Sequence, residues 1–260
     1  MPELPEVEEA RTRLAKAAEG KTIARLRLLH PALAKRITAG KLRGLKGRRI
    51  VRVERRGKHQ LLHLDDGRTI AVHFRMNGDW EIGKVSDEEP RHTRASLELE
   101  NGTRVALTDM RALSTVELFD EGEGDGVLAL GPEPTDPAFN ADTLGVSLAR
   151  RSGEIKPALL DQKMVAGIGN IYASEALWLA KISPKAKAAS LSAHRRDKLV
   201  GAIREVLAEA PAGRYQEKRE TSRWNVYDRE GEKCPRCGAT IKRIVQAGRS
   251  TYYCPVDQKS

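Results

Sequence analysis

The chain has 260 residues, 40% of them hydrophobic and 4% aromatic, with a formal net charge of +10 and a pI of about 9.6. This is enough apolar sequence for a core in one or two domains, and the basic charge favours a polyanionic partner, nucleic acid before an anionic membrane. No apolar run approaches the ~20 residues of a membrane-spanning helix, and the acidic N-terminus is unlike a signal peptide, so we expect a soluble cytoplasmic protein.

The N-terminal segment predicts a helix and leaves one residue unexplained. Pro5 suits a first helical position, and apolar residues recur at three- and four-residue steps from there to Gly20. Pro2 lies before this helix. Removal of Met1 would give Pro2 a free secondary amine with a pKa near ~8, able to attack an aldehyde-like carbon and form an iminium ion. The neighbouring Glu3 could then move protons.

Short alternating segments follow the helix and predict β-strands. Two pairs of them flank the turn sequences Asp65-Asp66-Gly67 and Asn101-Gly102, which are typical of hairpins. Many short antiparallel strands without long helices between them indicate a β-sandwich, with a polar loop over residues 83–94. The predicted strands cover residues 22–29, 48–55, 61–64, 69–74, 96–100, 103–108 and 114–119.

The composition changes near residue 130, which marks a domain boundary. A flexible acidic stretch at residues 121–126 precedes residues 131–137, where three prolines predict a stiff connection. Beyond it the apolar period becomes helical, with Asn170 and Ser192 as candidate N-caps. The predicted helices cover residues 142–150, 155–160, 171–180 and 192–209, and the polar residues 211–230 are predicted to form a loop.

The three cysteines lie close together near the end of the chain, which favours a metal site over disulfides. Cys234 and Cys237 form one knuckle, and Cys254 with Asp257 repeats its spacing. Three thiolates and one carboxylate can form a tetrahedral shell for one structural zinc ion. The fourth ligand is Asp257, water or absent, and the alternative is a metal-free hairpin with buried thiols. Its strands are predicted over residues 240–245 and 250–253.

Three further stretches carry candidate binding residues. The sequence Gly167-Ile168-Gly169-Asn170, between two predicted helices, would let the backbone approach a phosphate at a helix start. Lys58 lies in a tight basic turn and can reach a DNA phosphate, although the pattern alone fits an ordinary solvated turn. Met76 and Leu113 are predicted as core residues from the pattern alone.

Several motifs in register resemble the formamidopyrimidine-DNA glycosylase/endonuclease VIII family. The N-terminal Met-Pro-Glu-Leu-Pro-Glu-Val-Glu is similar to the start of that family, and the similarity continues in the expected order over essentially the whole chain. The other similar stretches are Arg56-Gly57-Lys58, residues 73–78, 130–134, 155–175, and 226–254 including Arg249.

The resemblance implies an α+β, bilobed fold with DNA in a basic cleft. The implied partner is damaged double-stranded DNA, bound by a monomer that has no membrane association and lies on the nucleoid. One structural zinc ion is the only implied cofactor. The implied parts are an N-terminal catalytic β-sandwich with flanking helices over residues 1–130, a linker over 131–140, a helix–two-turn–helix domain over 141–225 and a zinc-ribbon β-hairpin over 226–260.

The resemblance also implies the chemistry. The damaged base is flipped out of the stack, the Pro2 amine attacks C1′ of the sugar, and the 3′-phosphate, commonly with the 5′-phosphate, is eliminated. Glu3 is the implied acid/base, and Lys58 is counted with it as catalytic. The residues implied to bind DNA are Lys58, Asn170 and Arg249 at phosphates, Lys156, and Met76, Arg111 and Leu113 in the void left by the base.

Departures from the family pattern leave the substrate open. The family's Asp-Pro-Arg-Arg-Phe-Gly is here Asp109-Met-Arg-Ala-Leu113-Ser, which lacks the aromatic wedge. Arg75 replaces a glycine, Asp257 replaces a cysteine, and residues 211–225 do not match the base-capping loop of the 8-oxoguanine enzymes. We expect a bifunctional glycosylase and abasic-site lyase for oxidised bases, purines first. The alternatives are a member specialised for abasic sites or oxidised pyrimidines, a non-catalytic damaged-DNA binding protein, and an unrelated zinc-ribbon module.

Overall fold

The computed structural model describes residues 1–34, 37–123, 129–210 and 224–260. These residues form two compact units, one ending at Ala129 and one beginning at Leu130. None of the helices in the described ranges is both long and apolar enough to cross a bilayer. Two expectations, the acidic stretch beyond residue 123 and the loop over residues 211–223, lie outside the described residues.

The first helix, α1 (Leu4–Ala18), is the predicted amphipathic helix. Its buried face includes Val7, Ala10 and Leu14, which are each at most 1% exposed. Gly20 follows with a φ of +75°, a left-handed conformation that favours glycine. The helix therefore ends where the sequence predicts, with its apolar face in the core of the first unit.

Strands make up most of the rest of the first unit. Its described strands are β1 (Ile23–Leu28), β2 (Ile50–Arg56), β3 (His59–Leu64), β4 (Thr69–His73), β5 (Asp79–Lys84), β6 (Thr93–Leu99), β7 (Thr103–Thr108) and β8 (Thr115–Phe119). They form two antiparallel sheets with the spatial orders β1-β6-β7-β5 and β2-β3-β4-β8. Both hairpin predictions are confirmed, since Gly67 and Gly102 each have a φ of +81° in the turns β3–β4 and β6–β7.

The two sheets share one apolar core, which makes this unit the predicted β-sandwich. Leu97 of one sheet and Leu62 of the other belong to the same buried cluster. Inside this core the indole Nε1 of Trp80 on β5 donates to Oε1 of Gln60 on β3 at 2.6 Å. A polar contact therefore joins the sheets where apolar packing alone would leave their relative position less defined.

Three elements of the first unit are missing from the sequence prediction. In β5 only Trp80 is buried while its last four residues are exposed, so the strand lacks a regular apolar alternation. The helices α2 (Pro31–Ala34) and α3 (Ala39–Arg43) are about one turn each, too short for a periodic signal. The loop predicted over residues 83–94 overlaps the end of β5 and the start of β6.

The second unit contains the four predicted helices, each within one residue of its predicted ends. They are α4 (Ala141–Ala149), α5 (Ile155–Leu159), α6 (Asn170–Leu179) and α7 (Ala193–Ala208), with a 3₁₀ turn at Ala188–Ser190. Ser192 caps α7 as predicted, because its side chain accepts from the N–H of Arg195. The prediction for Asn170 is wrong: it is the first helical residue, and Gly169 is the N-cap.

Residues 131–140, predicted to be a stiff interdomain linker, pack against other residues of the second unit. Arg204 of α7 donates to the carbonyls of Pro134 at 3.0 Å and Phe139 at 2.7 Å. The Phe139 side chain is 1% exposed and belongs to the helical core. The prolines therefore lie in a segment that is also held by a guanidinium group.

The cysteine-bearing end of the chain folds around a two-stranded antiparallel ribbon, β9 (Lys242–Gln246) and β10 (Arg249–Tyr253). Ala247 and Gly248 connect the strands with φ values of +46° and +72°. Arg249 is thus the first residue after the turn, and its side chain is exposed. Trp178 of α6 packs against this end of the chain in a small separate cluster.

We expect Gly131→Ala to destabilise the second unit by about 1–3 kcal/mol. A Cβ at this position would lie 2.6 Å from the carbonyl oxygen of Lys163 and from the carbonyl carbon of Met164, and backbone cannot yield as a side chain does. Gly153→Ala is the matched control, because a Cβ there would meet nothing within 4 Å. Denaturant unfolding followed by tryptophan fluorescence measures both variants, and equal unfolding free energies would contradict the prediction.

Candidate functional site

The residues Pro2 and Glu3 are buried at the start of α1. Glu3 is the N-cap: its N–H donates to Oε2 of Glu6 at 2.9 Å, and its side chain accepts from the N–H of Glu6. This reciprocal capping box satisfies donors that a helix start would otherwise leave without partners. The position of Pro2 is therefore set by a helix rather than left to a frayed terminus.

Lys58 lies in the turn between β2 and β3, and it is 6% exposed. Gly57 before it has a φ of +57°, which explains the glycine in this turn. Arg55 donates from Nε to Oε2 of Glu8 at 2.8 Å and from Nη1 to the carbonyl of Gly57 at 3.0 Å. One guanidinium thus ties α1 to the turn that carries Lys58.

Two histidines, the half-buried His59 and the buried His73, face each other across β3 and β4, next to this turn. The rings of His59 and His73 pack edge to face with their centroids 4.6 Å apart. Burial, reinforced by the charge of Arg75, lowers the pKa of His59 to about 4. Burial, reinforced by His59 and Arg75, lowers the pKa of His73 to about 3. Both rings are therefore neutral at pH 7, and Nδ1 of His73 accepts from the N–H of Arg75 at 2.9 Å.

The side chains of Met76, Arg111 and Leu113 are exposed on two loops of the first unit. Met76 is 37% and Leu113 44% exposed, so the core prediction made from the pattern alone is wrong. An exposed position is what contact with an external partner requires. Their assignment to the void in DNA stays a prediction.

One buried carboxylate organises these loops. Asp109 is 1% exposed and accepts from the N–H groups of Arg111 at 3.0 Å, Leu113 at 2.7 Å and Ser114 at 2.7 Å. The Ser114 hydroxyl lies 2.7 Å from the same carboxylate and 3.1 Å from the carbonyl of Phe74, in the loop that carries Met76. The two exposed loops are therefore held by a single polar cluster.

In the second unit, Lys156 connects the start of α6 to the ribbon. Its Nζ donates to Oδ1 of Asn170 at 2.7 Å, to the carbonyl of Ser250 at 3.2 Å and to Oγ1 of Thr251 at 2.8 Å. Asn170 itself donates from Nδ2 to the carbonyl of Ser250 at 2.9 Å. This places Asn170 beside the residue that follows Arg249, and the assignment of both residues to phosphates stays a prediction.

The direct DNA contact expected of Lys156 stays a prediction. The side chain is 1% exposed, and its ammonium group is directed to the ribbon. A buried charge that is satisfied by three acceptors holds its neighbours in place. Lys156 is thus a positioning residue for Asn170 and for β10.

The glycine turn before α6 is shaped by Gln162. Its Nε2 donates to the carbonyl of Ile168 at 2.8 Å, and its Oε1 accepts from the N–H of Gly167 at 2.9 Å. Gly167 has a φ of +85°. The side-chain amide replaces the backbone partner that this turn would otherwise need.

The thiols of Cys234, Cys237 and Cys254 converge, with all three Sγ atoms within 4.8 Å of one another. The indole Nε1 of Trp178 donates to the Cys234 sulfur at 3.4 Å. Asp257, the predicted fourth ligand, is not part of this group. Its carboxylate accepts from Nη1 of Arg236 at 2.5 Å, and Arg236 stacks 3.8 Å above the ring centroid of Trp178.

Three protein families match successive parts of the chain. The formamidopyrimidine-DNA glycosylase N-terminal domain matches residues 1–116, and the H2TH domain of the same glycosylase matches residues 130–219. The zinc finger found in FPG and IleRS matches residues 231–259. The chain belongs to the formamidopyrimidine-DNA glycosylase family.

Relatives and solved structures agree with this membership over the full length. The formamidopyrimidine-DNA glycosylase of Chloroflexus aurantiacus is 42% identical, covering 99% of this chain and 98% of that protein. The one from Novosphingobium aromaticivorans is 39% identical over 100% of both chains. A Lactococcus lactis formamidopyrimidine-DNA glycosylase bound non-covalently to AP-site DNA has a TM-score of 0.91 at 32% identity, covering 99% of this chain and 100% of its own. MutM in complex with DNA containing carbocyclic 8-oxo-G gives the same score and identity over 100% of both chains.

The cysteine group fits the structural zinc ion of this family's finger. Burial raises the pKa of Cys234, but the hydrogen bonds from the Trp178 indole and from backbone N–H groups outweigh it and lower that pKa to about 7. Burial raises the pKa of Cys254 to about 11. Zinc binds thiolates, so loading the site must displace protons. A fourth ligand has to come from Asp257, after release from Arg236, or from water.

Several residues that build the site were not singled out from the sequence. The Glu175 carboxylate, on a helix residue that is 2% exposed, accepts from the N–H groups of Asn225, Val226 and Tyr227 at 2.9 Å each, and so anchors the start of the finger. Asp109 and Gln162 likewise form hydrogen bonds that hold the backbone of their loops. An acidic residue inside the apolar run of α6 was the available signal for Glu175, because a buried carboxylate needs a dedicated set of donors.

We expect Lys156→Met to lower the unfolding free energy by about 3 kcal/mol, because it keeps the aliphatic volume but leaves three acceptors without their charged donor. Hydrogen exchange in β10 should become faster in this variant. The exposed Lys198 of α7 provides the control, Lys198→Met, which should change neither quantity. Unchanged exchange at Ser250 and Thr251 in Lys156→Met would refute the positioning role.

We expect one zinc ion per chain, bound more weakly as the pH falls. Protons compete with the metal for thiolates, so a chelator should remove the ion faster at pH 6 than at pH 8. Cys234→Ser should lose the ion, and with it the order of the ribbon that carries Arg249. Elemental analysis of pure, active protein that finds no zinc would defeat this prediction.

Proposed function

We propose that the protein is a bifunctional DNA glycosylase and abasic-site lyase of base excision repair, acting on oxidised bases and first on oxidised purines. The observation that carries the proposal is the anchored N-terminal pair, because Glu3 caps α1 and thereby fixes Pro2 beside it. A protein that only binds DNA would have no need to hold a potential N-terminal amine at a defined place. Family membership agrees with this reading.

The proposed reaction starts from the Pro2 amine, freed by removal of Met1. The amine nitrogen forms a bond to C1′ of the sugar as the bond from C1′ to the base breaks, and the base leaves with that electron pair. Loss of the amine proton and cleavage of the C1′–O4′ bond, whose oxygen takes up a proton, then open the sugar ring and give an iminium ion. That ion acidifies the C2′ hydrogen, so a base can take the proton while the 3′-phosphate leaves with the electron pair of its C–O bond. Glu3 is proposed to handle protons at the sugar, and Lys58 to hold a nearby phosphate.

The proposed ligand is damaged double-stranded DNA, bound by a monomer in the cytoplasm on the nucleoid. Asn170 and Arg249 are proposed to hold phosphates around the flipped nucleotide, and Met76, Arg111 and Leu113 to occupy its former place. The net charge of +10 provides the long-range attraction. The solved relatives were captured with AP-site DNA and with DNA containing carbocyclic 8-oxo-G, which supports the same class of ligand here.

A second candidate keeps the lyase chemistry and changes the substrate. Leu113 stands where the family has an aromatic wedge, and it is 44% exposed on a loop with a different sequence. Contacts in this void help to decide which lesion and which opposite base are accepted. A member specialised for abasic sites or oxidised pyrimidines would therefore retain Pro2 and Glu3 and differ here.

Borohydride trapping on an abasic-site duplex tests the proposal. We expect a covalent adduct at Pro2, because hydride reduces the iminium ion to a stable amine. The matched control is the same chain with an uncleaved N-terminal extension, which locks the Pro2 nitrogen in an amide and should give no adduct. Absence of an adduct from protein with a confirmed free Pro2 would reject the lyase mechanism and favour a non-catalytic damaged-DNA binder.

A further inference from the structure

A third large apolar side chain, Met110, stands on the same loop as Leu113. It is 66% exposed, more than Leu113 at 44% or Met76 at 37%. Met110 occupies the place of the family's proline, and Leu113 that of the family's aromatic residue. This chain thus carries two flexible apolar side chains where the family pattern has a proline and an aromatic ring.

The exposure of Met110 does not arise from a loose loop. Arg94 donates from Nε to the carbonyl of Asp109 at 2.7 Å and from Nη2 to the carbonyl of Met110 at 3.3 Å. Immediately after Met110, the N–H of Arg111 is held by the Asp109 carboxylate at 3.0 Å. The backbone is fixed on both sides, so the side chain extends into solvent from a defined point.

The surroundings of Met110 indicate what would cover it. Exposed arginines lie next to both apolar positions, Arg111 beside Met110 and Arg75 beside Met76. This pattern suits a duplex with one base removed from its stack, which offers phosphates to the guanidinium groups and the faces of aromatic bases to the apolar side chains. A thioether is flexible and polarizable, so it can fill an irregular gap and contact aromatic rings favourably.

We propose that Met110 is a DNA-contacting residue that enters the void at the lesion together with Leu113. The two side chains then share the contact that a single aromatic residue makes in the family pattern. The inference rests on the proposed function, because it is the flipped nucleotide that leaves a void to fill.

The test compares binding of the protein to two duplexes at one fixed salt concentration. One duplex contains tetrahydrofuran, a stable abasic-site analogue, and the other is undamaged. We expect Met110→Ala to bind the tetrahydrofuran duplex about tenfold more weakly, which corresponds to about 1.4 kcal/mol, and the undamaged duplex unchanged. Met110→Leu keeps the apolar volume and should retain most of the affinity.

Val85→Ala is the matched control. Val85 is 42% exposed, and its N–H bonds to the carbonyl of Gly102, at the end of the β5–β7 pair remote from Asp109. This variant should bind both duplexes like the wild type. If Met110 and Leu113 share one void, the loss in Met110→Ala/Leu113→Ala should also differ from the product of the two single losses.

The outcomes separate this inference from the proposed function. Equal binding of Met110→Ala and wild type to the tetrahydrofuran duplex would overturn the role of Met110 alone, and so would an equal loss on both duplexes. A wild-type protein that shows neither a preference for the tetrahydrofuran duplex nor an adduct on borohydride trapping would overturn the proposed function as well.

Discussion

The capping box between Glu3 and Glu6 is the interaction on which the proposed chemistry depends. Chain termini are ordinarily the least ordered part of a domain. Here the second residue is the proposed nucleophile, so the terminus must be fixed as firmly as a core residue. The apolar face of α1 anchors the helix in the sandwich, the box fixes its first turn, and Arg55 ties the same helix to the turn of Lys58.

Buried charged groups also fix the backbone of the other elements that are proposed to bind DNA. Asp109 satisfies the N–H groups of one exposed loop, and Lys156 satisfies acceptors on α6 and on the ribbon. A buried charge that is fully hydrogen-bonded defines one arrangement, because any displacement leaves it without partners at a cost of several kcal/mol. Buried charged groups therefore hold in place the exposed residues that are proposed to contact DNA.

The parts of the fold that could be predicted from the sequence are those set by residues close together in the chain. Periodicity predicted α1 and the four helices of the second unit, and the turn sequences that end in Gly67 and Gly102 predicted two hairpins, because these signals are local. The strand β5 and the one-turn helices have no such signal. The packing of residues 131–140 depends on Arg204, about seventy residues away, which three local prolines do not reveal.

The site residues likewise include some that the local sequence predicts and others whose position depends on contacts with distant residues. The sequence places Asn170 in the right turn but at the wrong helical position, and it gives no sign that the hydrogen-bond partners of Lys156 include a residue on β10. A basic residue in a basic protein is most simply read as a surface charge. Only the fold reveals that its ammonium group faces a carbonyl and a hydroxyl from residues more than ninety positions further along. The family resemblance corrected the reading of Met76 and Leu113 as core residues, since it placed both on the surface.

The burial of Pro2 has a consequence for the biosynthesis of the protein. The sandwich that covers the start of α1 cannot close before β6 and β7 have left the ribosome, because β1 pairs with β6. At ordinary rates of translation, a chain of that length takes roughly 5–20 s to make. Until then the sandwich cannot bury Pro2, so an aminopeptidase has its freest access to Met1. The order of the strands thus leaves time for the maturation step that would turn an ordinary amide into a reactive amine.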